Sequence, residues 1–386
     1  MKKVFIVLGV VLLVLVVLAV VFFAMQSKRA AEYANLTPTE RTEKIEALLT
    51  EHAEKTTTLQ FAMNVPESGI NYSFSSTVPN QRFHSASAGK LMTSTLIFMA
   101  IEQGKLTLET PISSILGDEL LNGLFVYQGT DYKDQVTVRH LLGHMSGVND
   151  YYESDTFDGS TFTEDMINNP DTFWTPPELI AYTRDNQEAV GKPGEKFLYS
   201  DTGYILLGLI IEEIYDMPFH EALQTYIFDP ADMQETDLCF YSDGFDQEAL
   251  APLYINGVDV HLFRSISADF SGGGLSITAE DLLKFLDALQ SERFVSQQSL
   301  DMMADFEHKY IKGIHYGLGM MQVHFDEFFF LLKDLPRLQG HLGVTGVHAW
   351  YDPETHASFV LNVGNTKDMS DSFKLLIQII QILYPS

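Results

Sequence analysis

The sequence predicts an α+β fold: an antiparallel sheet flanked by N- and C-terminal helices, an inserted mainly helical lobe, and one transmembrane helix in front. Three observations predict it. Apolar–polar alternation recurs near both ends of the 386-residue chain, at 58–65, 70–77, 316–323, 346–352 and 357–363. Helical patterns bracket these segments, at 37–55 and 373–383. The middle, about 105–260, mixes helical patterns with loop chemistry, including a polar acidic stretch from Asp150 to Asp171. The two ends therefore share a sheet lobe, about 37–104 and 261–386, into which 105–260 is inserted.

Taken in order, Met1-Lys2-Lys3 is a short basic segment before an apolar run, Val4 to Met25. Those 22 residues suffice to span a bilayer as a helix. The run exceeds the roughly 7–15 apolar residues of a cleavable signal, and Ala24-Met25-Gln26 is a poor cleavage site. An uncleaved signal-anchor is the expectation, with 26–36 as linker and 37–386 as the folded domain. Charge leaves its orientation open, since Lys2-Lys3 balances Lys28-Arg29.

Thr37-Pro38-Thr39-Glu40 reads as a capping box with proline in the first turn, opening a helix to about Lys55 with Ile45, Leu48 and Leu49 inward. Pro66-Glu67-Ser68-Gly69 is turn chemistry between the first two strands. Leu91–Gln103 is helical, with Gly104 as its C-cap. Thr278 caps a helix over Ala279–Gln290. The strands at 346–352 and 357–363 form a hairpin around Pro353-Glu354-Thr355-His356, and Phe373–Leu383 is a closing apolar helix.

The 46% hydrophobic content supports a packed core. A formal net charge of −28 argues against a nucleic-acid partner. The single cysteine, Cys239, excludes an intrachain disulfide and reads as a core residue between Leu238 and Phe240. No internal repeat or low-complexity tract is present.

Ser87 and Lys90 carry the chemistry. A serine hydroxyl is a poor nucleophile until its proton is taken. A lysine three residues on stands one turn above it on the same helix face, and burial disfavours the ammonium. Ser87 at a helix start also faces free N–H groups and the favourable end of the dipole. Ser-x-x-Lys alone is a weak motif; Tyr199-Ser200-Asp201 and Gly340-His341-Leu342-Gly343-Val344-Thr345-Gly346 strengthen it.

In this order the three elements resemble the serine β-lactamase / penicillin-binding protein superfamily. The similarity is to its class C β-lactamase-like branch, which includes D-alanyl-D-alanine carboxypeptidases, D-aminopeptidases and esterases. Val138–Gly147, Tyr199–Gly208 and Ser271–Asp281 extend the resemblance over about 40–385. It implies a serine hydrolase that acts through an acyl-enzyme, with no metal and no cofactor. Ser87 is the implied nucleophile. Lys90 and Tyr199 are the implied proton carriers, either serving as principal base, with lysine proximity favouring the tyrosine phenolate. The backbone N–H groups of Ser87 and Val344 form the implied oxyanion hole. Asp201, His341 and Gly343 are implied substrate-binding positions, Gly343 by letting substrate approach the strand. Two of them depart from the family pattern: His341 stands where many members have lysine, and Asp201 where asparagine is usual. An ionised aspartate only accepts hydrogen bonds, so both departures disfavour an anionic substrate and β-lactam turnover.

The expected substrate is a small peptide or ester, by analogy one containing a D-amino acid of the cell envelope. The expected location is the cell membrane, single-pass, with the catalytic domain outside the cytoplasm. A carboxylesterase without an envelope role and a non-catalytic penicillin-recognising scaffold remain the alternatives. Oligomeric state is unspecified. Four further features read as structural: Ser271-Gly272-Gly273-Gly274 as a tight turn, His140/His144 as a pair that is not a metal site, Phe328–Leu332 as a buried strand, and Tyr151, Tyr152 and Trp174 as packing or cleft lining.

Overall fold

The computed structural model describes residues 30–385. The segment read as a membrane anchor, 4–25, lies outside the described residues, among which no helix is long and apolar enough to cross a membrane.

The expected capping box starts helix α1, Pro38–Ala53: the Thr37 side chain accepts from the Glu40 amide and the Glu40 carboxylate accepts from the Thr37 amide. Ile45 and Leu49 of α1 are fully buried. Strands β1 (Gln60–Val65) and β2 (Ile70–Ser75) follow, joined by a turn in which Gly69 takes φ 67°. Helix α2 is Lys90–Glu102, α3 is Asp201–Tyr215 and α4 is Ala279–Gln290. The C-terminal third supplies β3 (His308–Ile311), β4 (Ile314–Tyr316), β5 (Met321–Val323), β6 (Gln339–Gly343), β7 (Val347–Tyr351) and β8 (Ser358–Asn362), then helix α5, Met369–Leu383.

These strands form one sheet in the order β3-β4-β5-β6-β7-β8-β1-β2, each pair antiparallel. The two ends of the chain meet where β1 pairs with β8, Phe61 opposite Leu361 and Met63 opposite Phe359. Alternation sorts the strands into two cores. Phe61, Met63, Trp350 and Phe359 join Ile45, Leu49, Leu375 and Leu376 on the α1/α5 face. Ala62, Ala349 and Val360 join α2, α3 and α4 on the other. Helix α3 is apolar nearly all round, as a helix packed on several sides must be.

Two segments depart from expectation. Residues 316–323 are not one strand: the Gly317 N–H donates to Met320 O, closing a turn between β4 and β5, and Gly319 takes φ 83° with Ser94 Oγ 1.8 Å from where its Cβ would lie. Phe328–Leu332 is not a buried strand. It spans the end of a short helix, Phe325–Phe328, and a 3-10 turn, Phe330–Leu332, with Phe330 61% exposed. This stretch serves as the β5–β6 connection.

Candidate active site

Ser87 lies in a 3-10 turn, Ala86–Gly89, that runs directly into α2. Ser87 alone is not buried among residues 83–98. Ala86 before it takes φ 45°, an unfavourable angle for a residue with a Cβ. Neighbouring segments hold that turn. Ser85 Oγ donates to Gly273 O at 2.6 Å and the Ser85 amide to Leu275 O at 2.8 Å. Gly343 meets the turn from the sheet side, its absent Cβ 2.9 Å from Ala86 Cβ and 3.1 Å from Ser85 O. The expectation that Gly343 clears space for substrate is thus corrected: the space is filled by the turn that carries Ser87.

Lys90 is fully buried. Its ammonium donates to Ser87 Oγ at 3.1 Å, to Gly272 O at 2.7 Å and to the Asp201 carboxylate. Three donors meet three acceptors, so the charge is fully coordinated. Thr93 Oγ1 donates to Ser271 O at 2.7 Å from the next turn of α2. The Ser271–Gly274 segment, read from sequence as a tight turn, is mostly a short helix, Phe270–Gly273, whose carbonyls hold Ser85, Lys90 and Thr93 around Ser87. Composition gave no hint of this, because glycine offers only its backbone.

Tyr199 precedes α3, which Ser200 caps by accepting from the Gly203 amide. The tyrosine ring lies between Tyr310 and His144, at centroid distances of 4.7 and 4.3 Å, and Tyr316 contacts it edge-on at 5.8 Å. Lys90 Nζ is 5.1 Å from the ring centroid. The Tyr199 hydroxyl is buried, with no hydrogen bond of ordinary geometry, and Ser87 is the polar neighbour that acts on it. Burial, then the Asp201 charge, then Tyr316 and Tyr310 push its pKa well above the ordinary phenol range; only the Ser87 hydroxyl pulls the other way. The expectation that lysine proximity favours a phenolate is therefore corrected: the Lys90 charge is answered by Asp201, and burial dominates.

His341 on β6 is fully buried, with Nε2 3.3 Å from the Tyr316 hydroxyl. Burial and then Lys90 push its pKa down to about 3, so it is a neutral ring at neutral pH. Among the described strands β6 pairs beyond Gly340 only with β7, and it leads to Val344, which is exposed. Val344 and Ala86 line a small cavity with His84, Tyr152, Thr345 and Asp269. Tyr151 is core, its hydroxyl donating to Ala268 O. Cys239 is buried, and burial pushes its thiol pKa up. His140 and His144 do not converge: the helix ends at Leu142, His140 Nδ1 accepts from the Thr137 amide, and His144, at φ 56°, accepts from the Ser200 amide.

Behind Asp201 stands a carboxyl that was not singled out in the sequence. Asp150 is 1% exposed and accepts from the Asp201 amide at 2.8 Å and the Glu153 amide at 2.7 Å. Burial and then Asp201 raise its pKa to about 8; the same causes raise Asp269 to about 7. Both carboxyls bind a proton more tightly folded than unfolded, so their stabilisation holds at low pH and is lost as pH rises through those values. Buried His84, His341 and His348, with pKa values lowered to about 4, 3 and 3, act in the opposite sense, losing stability as pH falls below about 6.5. A stability maximum near pH 6–7 is expected. Thermal melts should show the decline toward pH 8, and Asp150→Asn should flatten it. An unchanged alkaline limb in that variant would show that Asp150 does not carry the effect.

Comparisons with known proteins place the chain. It is 29% identical over 244 residues to Penicillin-binding protein 4* of Bacillus subtilis (strain 168), covering 57% of this chain and 47% of that protein. The chain thus spans about half the length of the curated relatives it matches. Its fold superposes on D-amino acid amidase from Ochrobactrum anthropi SV3 with a TM-score of 0.73 at 23% identity, covering 87% of this chain and 99% of that one. It superposes on EstCE1, described as a hydrolase with promiscuous acyltransferase activity, with a TM-score of 0.72 at 19% identity, covering 90% and 99%. Residues 70–382, which hold the serine, the lysine, the tyrosine and the histidine strand, match the family model described as Beta-lactamase, and the chain belongs to that family.

Proposed function

We propose that this protein is a serine hydrolase that cleaves an amide or ester through an acyl-enzyme on Ser87. The observation that carries the reading is the 3.1 Å contact between Lys90 Nζ and Ser87 Oγ inside an otherwise closed hydrogen-bond shell. Ser87 Oγ bonds to the substrate carbonyl carbon while its proton passes to Lys90. A fully coordinated ammonium can accept only after giving a proton away, and the Asp201 carboxylate in contact with it is the acceptor. Tyr199, protonated at rest, then donates to the leaving nitrogen or oxygen as the acyl bond breaks. Ser87 and Val344 N–H groups are the oxyanion donors in this reading.

The substrate class follows from charge. A neutral His341 supplies no cation, and the Lys90 charge is already answered by Asp201, so a neutral amide or ester suits the site better than a carboxylate-bearing β-lactam. D-amino acid peptides or esters of the envelope are the proposed substrates; a carboxylesterase without an envelope role is the second reading, which the neutral His341 favours. The apolar run at 4–25 supports anchoring in the cell membrane, and placing the hydrolase domain outside the cytoplasm rests on the proposed envelope substrate.

Labelling tests the assignment. The purified protein is treated with a fluorophosphonate and with a fluorescent penicillin, beside Ser87→Ala. The fluorophosphonate should label the natural protein and not the variant, with penicillin labelling slow and nitrocefin turnover slow or absent. Failure of both probes on a folded protein would support a non-catalytic scaffold instead, and brisk nitrocefin hydrolysis would overturn the charge argument.

A further inference from the structure

Away from Ser87, one group of three metal-capable side chains converges among the described residues: His315, His324 and Glu327, with one donor atom of each within 4.8 Å of the others. The hairpin builds it. His315 on β4 lies opposite Gln322 on β5, so His315, Gln322 and His324 share one face of the pair, while Ile314, Tyr316 and Val323 are buried on the other. The short helix Phe325–Phe328 then brings Glu327 back to that face.

Hydrogen bonding fixes where the lone pairs are. His324 Nε2 is 2.8 Å from Gln322 Oε1. A carbonyl oxygen only accepts, so Nε2 donates and Nδ1 carries a free lone pair. That Nδ1 lies 3.9 Å from Glu327 Oε1, another acceptor, too far for a hydrogen bond and with no proton to share. His315 Nε2 lies 2.8 Å from the same oxygen, and the two imidazoles stack at 3.9 Å with 17° between their planes. The other Glu327 oxygen is held apart by Lys309 Nζ and by the Gly313 N–H at 3.1 Å.

We propose that His315 Nε2, His324 Nδ1 and Glu327 Oε1 bind one Zn²⁺-class ion, for which the two stacked rings turn about their Cβ–Cγ bonds so that their in-plane lone pairs converge beside Glu327 Oε1. Imidazole and carboxylate suit Zn²⁺, whose contacts of about 2.0–2.2 Å span the spacing of these donors. Gln322, Lys309 and the Gly313 amide orient the ligands from behind, as outer partners of metal sites do. Binding requires the His315 proton to move from Nε2 to Nδ1, which leaves the ring neutral. The ion ties β4, β5 and the following helix together, and β4 carries Tyr316, which packs on Tyr199 from its opposite face.

The test uses the full chain stripped of metal, titrated with Zn²⁺ alone by calorimetry and with Co²⁺ alone by visible absorption. One equivalent of each, Co²⁺ bands of nitrogen–oxygen coordination and a rise in melting temperature with Zn²⁺ are expected. All three should disappear in His324→Ala, with circular dichroism confirming its fold; His315→Gln replaces it if it does not fold. No heat and no bands in the natural protein would overturn the proposal, as would full binding by a folded His324→Ala variant.

Discussion

Replacing Lys90 with methionine is expected to slow Ser87 acylation by roughly a hundred- to ten-thousand-fold and to destabilise the fold by about 3–5 kcal/mol. Two losses combine. Ser87 loses the amine 3.1 Å from its oxygen, and the Asp201 carboxylate, only 8% exposed, loses its counter-charge in a nearly buried site. Methionine keeps the length and apolar stem of the lysine, so packing is nearly preserved. The double variant Lys90→Met/Asp201→Asn removes both charges at once. Stability should then return most of the way while acylation stays low, because breaking a buried pair costs far more than deleting it. Melting temperature and fluorophosphonate labelling rate separate the two effects. Natural labelling rates in Lys90→Met would remove lysine from the mechanism, and equal instability of single and double variants would show that Asp201 is not its counter-ion.

How much of this was legible in the sequence depends on the kind of signal. The helices with explicit caps were read to within two residues: Thr37 with Glu40 and Thr278 opened helices where expected, because a cap is a local hydrogen-bond demand. The meeting of β1 with β8 followed from strand patterns at both ends. The candidate site was legible where side chains gather, at Ser87, Lys90 and Tyr199, which the structure brings together. It was illegible where backbone groups do. Gly272 O and Gly273 O are acceptors for Lys90 and Ser85, and nothing in a run of glycines says which carbonyl will face which amine. Asp150 was hidden within an acidic stretch whose other members are mostly on the surface. The protonated state of Tyr199 depends on burial and on Asp201 together, a sum that only the assembled site discloses. The His315 cluster depends on the β4–β5 register, which is not visible in a 316–323 pattern that reads as one strand.

Gly273→Ala is expected to be as damaging as loss of a catalytic side chain, although glycine takes no part in the chemistry. Its backbone sits at φ 152°, and an added Cβ would lie 2.0 Å from Ala86 O, 2.4 Å from Ala86 C and 2.9 Å from Ser87 N. All three neighbours are backbone atoms, so no side chain can swing aside. Relief requires Ala86 and Ser87 to move away, and Ala86 is already held at φ 45°. Movement by about 1 Å is enough to reduce a reaction roughly a hundredfold. It would also pull Ser85 Oγ from Gly273 O and disturb the Lys90 contact with Gly272 O. Overpacking of this kind typically costs about 1–3 kcal/mol, and the unfavourable φ adds to it. Gly117→Ala is the control: it has open space around its Cβ position and φ −70°, so it should leave melting temperature and labelling unchanged. Should Gly273→Ala label and melt like the natural protein, the glycine helix does not press on the nucleophile turn. Positioning of Ser87 would then rest on Lys90 and the Gly343 edge alone.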